Sequence, residues 1–136
     1  MGLTERRALK SFQETQFPEL KRAIEQAAGF AVPVEVSWDS LAKDDMSHLY
    51  AEAFPKVYFA PIIDALKSVC TDDMGRDALK KSLKKVVICN TAGHSSSNRA
   101  ISFEAGVLTV DHDPVCNINY GNERLEAIVK ILEKAL

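Results

Sequence analysis

Apolar residues recur at helical spacing near both ends of the chain and alternate with polar ones in between. Ala8, Leu9 and Phe12 follow Thr4, a residue suited to capping, and predict an opening helix that Phe17-Pro18 interrupts, giving either two helices or one kinked helix. A second stretch places Leu20, Ile24 and Ala27 on one face and stops at Gly29, where a left-handed conformation comes without steric cost. Near the other end, Leu125, Ile128, Val129, Leu132 and Leu136 form one apolar stripe after an asparagine-rich segment that can supply a cap. Glu126 and Lys130 stand four apart on that helix as a favourable ion pair.

Residues 32–38 alternate strictly. Val32, Val34, Val36 and Trp38 point one way and Pro33, Glu35 and Ser37 the other, the signature of a half-buried strand. Pro33 cannot donate to a ladder, which puts this strand at a sheet edge or starts it after the proline. Residues 39–54 are polar with scattered Leu41, Met46, Leu49 and Tyr50, and read as one or two short helices bounded by Pro55.

Pro61 opens a helix with Ile62, Ile63, Leu66, Val69 and Cys70 on its apolar stripe. Thr71 or Asp72 caps the next helix, with Met74, Ala78, Leu79 and Leu83 inward and Arg76, Lys80, Lys81 and Lys84 outward. Val86-Val87-Ile88-Cys89 is a short β-branched run of the kind found in central strands covered on both faces. A polar loop, residues 90–98, separates it from a hairpin in which strand 100–104 turns at Ala105-Gly106 into strand 107–111.

The order helix, strand, helices, three strands, helix predicts an α+β domain over residues 1–136. Its small sheet of three to four strands is expected to be mostly antiparallel, because the last three strands lie close together in sequence. Amphipathic helices at both termini are expected to pack against it.

Composition supports a packed core, since 46% of the 136 residues are hydrophobic and 26% charged. A net charge of -2 offers no long-range attraction to phosphate backbones or anionic lipid, so neither nucleic acid nor membrane is an expected partner. The basic group of Arg76, Lys80, Lys81, Lys84 and Lys85 reads as a solvated helix end opposing the helix dipole. Cys70, Cys89 and Cys116 are odd in number and lack paired spacing, and the first residues lack an apolar leader, so a reducing, cytoplasmic setting is expected.

Loop 90–98 after the 86–89 strand is the place that most resembles a catalytic junction, with Cys89, His94 and Ser95 as candidate groups. Known templates fail there. A cysteine phosphatase loop needs arginine where this chain has Ser95, a nucleophile elbow needs a second glycine where it has Ser97, and a phosphate-cradling loop needs a lysine that is absent. Asp111, His112, Asp113 and Cys116 supply ligand types for a transition metal, but strand alternation sends Asp111 and Asp113 to one side and His112 to the other. The plainer reading makes the aspartates polar turn residues, and no metal or other cofactor is expected.

Tyr50, Phe54 and Tyr58 lie in the aromatic-rich segment of the chain. They read either as core or as an exposed hot spot for a partner. The functional expectation is a non-catalytic protein-binding or accessory domain, for which an inhibitor or immunity-type protein is one fitting example, with Tyr50, Phe54 and Tyr58 as the partner site and a second copy contacting the 32–38 edge strand or a helix face. The alternative is a small enzyme or metal-binding protein with a site built from Cys89, His94, Ser95, Asp111 and His112, which requires loop 90–98 to fold back over the turn at Asp113.

Overall fold

A computed structural model describes residues 1–136, beginning with two separate helices, α1 (Leu3–Thr15) and α2 (Phe17–Ala28). Pro18 sits in the first turn of α2, where its missing N–H costs nothing, and Gly29 ends that helix at φ 84°. Leu9, Phe12, Ile24, Ala27 and Ala28 are the buried positions. The edge strand β1 (Val34–Val36) starts directly after Pro33.

Two short 3-10 turns, Trp38–Leu41 and Ser47–Leu49, lead into α3 (Tyr50–Phe54). Pro55 does not end the helical run as expected. The chain widens into a π-helical turn, Pro55–Phe59, and continues as α4 (Ala60–Val69). The physical reason is the pair Pro55 and Pro61, neither of which can donate to the ordinary ladder, and the Ala60 amide reaches back five residues to the Pro55 carbonyl. Val57, Tyr58 and Phe59 are all buried in that turn. Next comes α5 (Asp73–Ser82), capped by the Asp72 carboxylate accepting from the Gly75 amide at 2.8 Å.

The sheet contains β1, β2 (Lys85–Cys89), β3 (Ile101–Glu104) and β4 (Val107–Asp111) in the order β1-β2-β4-β3. The α+β class holds, but the sheet is mixed: β2 runs parallel to both β1 and β4, and only β3–β4 is antiparallel. The expectation of mostly antiparallel pairing fails because β3 takes the outer edge and its hairpin turns β4 back into the gap beside β2. A single helical turn, α6 (Ser97–Ala100), starts that return where strand was expected at Ala100. Ala105 and Gly106 both have positive φ, 51° and 81°, as the tight two-residue turn demands.

One face of the sheet carries Val34, Val36, Val86, Ile88, Leu108, Val110, Ile101 and Phe103, which meet the helices in a contiguous core. The final helix, α7 (Gly121–Ala135), packs along α4 and beside β3. The opposite sheet face holds Glu35, Lys85, Val87, Ser102, Glu104, Val107 and Thr109, and Val87 and Val107 are half-exposed and outside the core. Strand β2 is therefore covered on one face, not on both. No helix is long and apolar enough to cross a membrane.

Candidate functional site

The parallel strands β2 and β4 end side by side, with Cys89 and Asp111 in register, and the polar segments that follow them close over the end of the sheet. Such an end is where ligands bind in open α/β sheets. Loop 90–98 does fold back over the turn at Asp113, since the His94 carbonyl accepts from the Asp113 amide at 2.7 Å. Asn117 Nδ2 holds the same loop through the Ser95 carbonyl at 2.8 Å. The loop is tied from its other end by Asp111, which accepts from the Thr91 amide at 2.7 Å and from the Thr91 hydroxyl. Burial pushes the Asp111 carboxyl up, but the Thr91 and Ala92 bonds and the nearby His94 outweigh it and keep the group ionised below the ordinary aspartate range.

His112 takes the opposite direction from Asp111, as strand alternation requires, and is fully buried. Its Nδ1 lies 2.6 Å from the Asp113 carbonyl. A carbonyl only accepts, so Nδ1 carries the proton and Nε2 is left as an unprotonated nitrogen with no hydrogen-bond partner. Burial lowers its pKa. The Asp113 carbonyl opposes that, the positive charge of Arg124 adds to it, and the Ser95 carbonyl exerts a weaker upward pull without reaching bonding geometry at Nε2.

Asp113 is a structural hub. One carboxylate oxygen accepts from the amides of Val115 and Cys116 at 2.9 and 3.1 Å, and the other meets Lys43 Nζ at 2.9 Å. Burial raises the carboxyl, yet these partners together hold it below the usual aspartate range. Thus Asp111, His112 and Asp113 serve separate tasks, the Cys116 thiol joins the partners of Asp113, and nowhere do three or more His, Cys, Asp or Glu side chains converge as a metal site.

The thiol of Cys89 is buried, and burial with the adjacent Asp111 carboxylate pushes its pKa up to about 11. A nucleophilic cysteine needs the reverse shift. Ser95 is exposed, and its recorded bond is through its backbone carbonyl to Asn117, not to a base. Cys89, His94, Ser95, Asp111 and His112 are gathered at one end of the sheet, but burial and the contact of the Cys89 thiol with the Asp111 carboxylate raise the thiol's pKa and hold it protonated, and no imidazole bonds to Cys89 or Ser95.

Tyr50, Phe54 and Tyr58 are buried in the core and present no exposed aromatic face. Tyr50 stacks on Phe54 with ring centroids 4.8 Å apart, and Phe54 meets Phe12 edge-on at 5.1 Å. Their polar ends organise the site from below. The Tyr50 hydroxyl accepts from the Lys43 amide at 2.8 Å and donates to the Lys43 carbonyl at 3.0 Å, while Tyr58 donates to the His112 carbonyl at 2.5 Å.

The sequence reading missed Arg124. It is only 1% exposed, with Nη1 donating to Asn117 and Nη2 to Ile118 and Lys56 carbonyls, and no carboxylate pairs with it. Burial lowers its pKa. Its position four residues before Ile128, and eight before Leu132, was the available signal, because those three share the buried face of α7. Glu126 and Lys130 form no ion pair, contrary to the expectation from their spacing.

The chain matches no known protein family, no curated protein and no solved structure.

Proposed function

We propose that this chain is a non-catalytic protein-binding domain, and that its partner docks on the open face of the sheet. The observation that carries this reading is the exposure of Val87, Thr109 and Val107 across β2 and β4. Sheets with parallel strands at their centre are ordinarily covered on both faces. Here the second face offers half-exposed valines and a threonine, with Ser102 alongside. Around them stand Glu35, Glu104 and Asp111 against a single lysine, Lys85, which Glu35 already pairs at 2.8 Å. The surface fits a partner protein with an apolar centre and a basic rim. Three unpaired cysteines suit work in a reducing compartment.

An enzymatic role draws less support, because the grouped side chains at the end of the sheet are engaged in holding loops, and the buried thiol is shifted away from reactivity. The test uses Thr109→Arg, which places a cation and bulk at the centre of the open face without entering the core. A partner recovered from native lysate is purified and titrated against both proteins, with folding checked by circular dichroism. Loss of about tenfold or more in affinity is expected for Thr109→Arg. Unchanged affinity overturns the reading, as does the absence of any partner from a protein that sediments as a monomer; a self-associating chain that Thr109→Arg dissociates would instead identify a second copy as the occupant.

A further inference from the structure

Loop 90–98 and the N-terminal half of α7 flank an open groove of about 610 Å³ that shares no residue with the open sheet face. That lies within the range of about 300–1,000 Å³ typical of small-molecule sites. Its wall is polar almost throughout. Ser95, Ser96, Ser97 and Asn98 line one side, and Glu123, Glu126 and Lys130 line the other, with Ala127 and Tyr120 as the apolar contributions. Tyr120 is 55% exposed and is the one aromatic residue left at the surface, whereas every other aromatic side chain is buried or half-buried.

The walls are held in place by bonds that occupy the Asn117 side chain but leave those of the serines free. The Ser95 carbonyl accepts from Asn117 Nδ2, and the Ser96 carbonyl accepts from the amides of Arg99 and Ala100. Asn117 itself is fixed in a left-handed conformation, φ 53°, with its carbonyl held by buried Arg124 at 2.9 Å. The serine hydroxyls therefore remain available, and Glu123, Glu126 and Lys130 have no ionic partner in the chain.

We propose that this groove binds a neutral polyhydroxylated ligand, a carbohydrate, with Tyr120 as the stacking platform. The chemistry of the lining selects for it by elimination and by fit. An apolar ligand would bury the serines, Asn98 and three charged side chains without hydrogen-bond partners, an anion meets two carboxylates, and Lys130 offsets one of the two carboxylates that a cation would meet, which makes choline the stringent control. A sugar ring presents hydroxyls that both donate and accept. Glu123 and Glu126 take hydrogen bonds from them, Lys130 gives one, and the serines and Asn98 do either. The C–H face of the ring packs on an aromatic that is apolar in its body and polar at its tip. The proposal is independent of the partner face on the sheet, because it rests on different residues.

Amide correlation spectra recorded while titrating glucose, galactose, mannose, N-acetylglucosamine and their common disaccharides test it, with choline and inorganic phosphate as charged controls. Shifts confined to residues 95–98 and 120–130 are expected with at least one neutral sugar. In the folded Tyr120→Ala variant, affinity for that sugar should fall roughly tenfold, and Glu126→Gln should weaken it further without altering the unliganded spectrum elsewhere. The proposal is overturned if no neutral sugar perturbs the 95–98 amides, if choline or phosphate perturbs them and sugars do not, or if Tyr120→Ala binds as the native chain does.

Discussion

The hydroxyl of Tyr58 donates to the backbone carbonyl of His112 at 2.5 Å, joining the π-helical turn to the segment that follows β4. Both groups are buried, and the bond spans 54 positions of sequence. It locks the direction in which the chain leaves β4, and with it the place of His112 and Asp113 beneath loop 90–98.

Replacing Tyr58 with phenylalanine keeps the ring and removes the bond, leaving a buried carbonyl without a partner. The expected loss is about 1–3 kcal/mol of stability, read as a lower urea midpoint with an unchanged slope. Tyr50→Phe removes the clamp on Lys43 at a half-buried site and should cost less. A Tyr58→Phe variant as stable as the native chain would show that this bond does not anchor the segment.

Acid should destabilise the protein in two stages. His112 is held neutral by burial and by the charge of Arg124, so its pKa lies below the ordinary value, while the unfolded chain takes up a proton near 6.5. The unfolded state then binds more protons as pH falls through that range, and stability drops. Asp111 and Asp113, both held below the usual aspartate range, contribute stability above it that is lost as pH falls through their lowered values. The groups facing His112 are Tyr58, Asp113 and Arg124, and of these only Asp113 titrates in acid. Urea midpoints followed from about pH 7.5 to 5.5 should fall for the native chain and stay nearly level for His112→Asn. Parallel slopes for the two proteins would exclude His112 as the source.

The three cysteines should react at different rates. Cys116 is exposed, Cys70 half-buried and Cys89 buried with a pKa of about 11. Alkylation under native conditions near pH 8 is expected to modify Cys116 first and to leave Cys89 until the chain unfolds. Mass spectrometry of quenched samples checks the order. Rapid modification of Cys89 would reopen the case for a nucleophile at the end of β2.

Much of the architecture was legible in the chain. The breaks at Phe17-Pro18 and Gly29, the edge strand after Pro33, and the hairpin turn at Ala105-Gly106 all follow from local backbone chemistry: a ring without an N–H, or a residue that accepts positive φ. The opposite senses of Asp111 and His112 also followed from strand alternation alone. What the local pattern could not supply was which strand lies beside which. The insertion of β4 between β2 and β3 is a pairing between segments about twenty residues apart, and it is what makes the sheet mixed. Proline spacing likewise hid the continuity of residues 50–69, because each proline alone signals a stop while the pair is absorbed by one widened turn.

At the site the division is the same. Sequence named Cys89, His94, Ser95, Asp111 and His112 as a group, and tertiary structure brings them to one end of the sheet. Their roles were settled only by partners distant in the chain. Tyr58 fixes His112, Lys43 meets Asp113, and Asn117 holds Ser95. The aromatic run at Tyr50, Phe54 and Tyr58 carried no sign of whether it faced water or core, because a helix shows the same spacing in either case. Burial, hydrogen-bond pairing and charge compensation belong to the assembled chain, and here they turn residues that could have been reactive into supports for the loops at the end of the sheet.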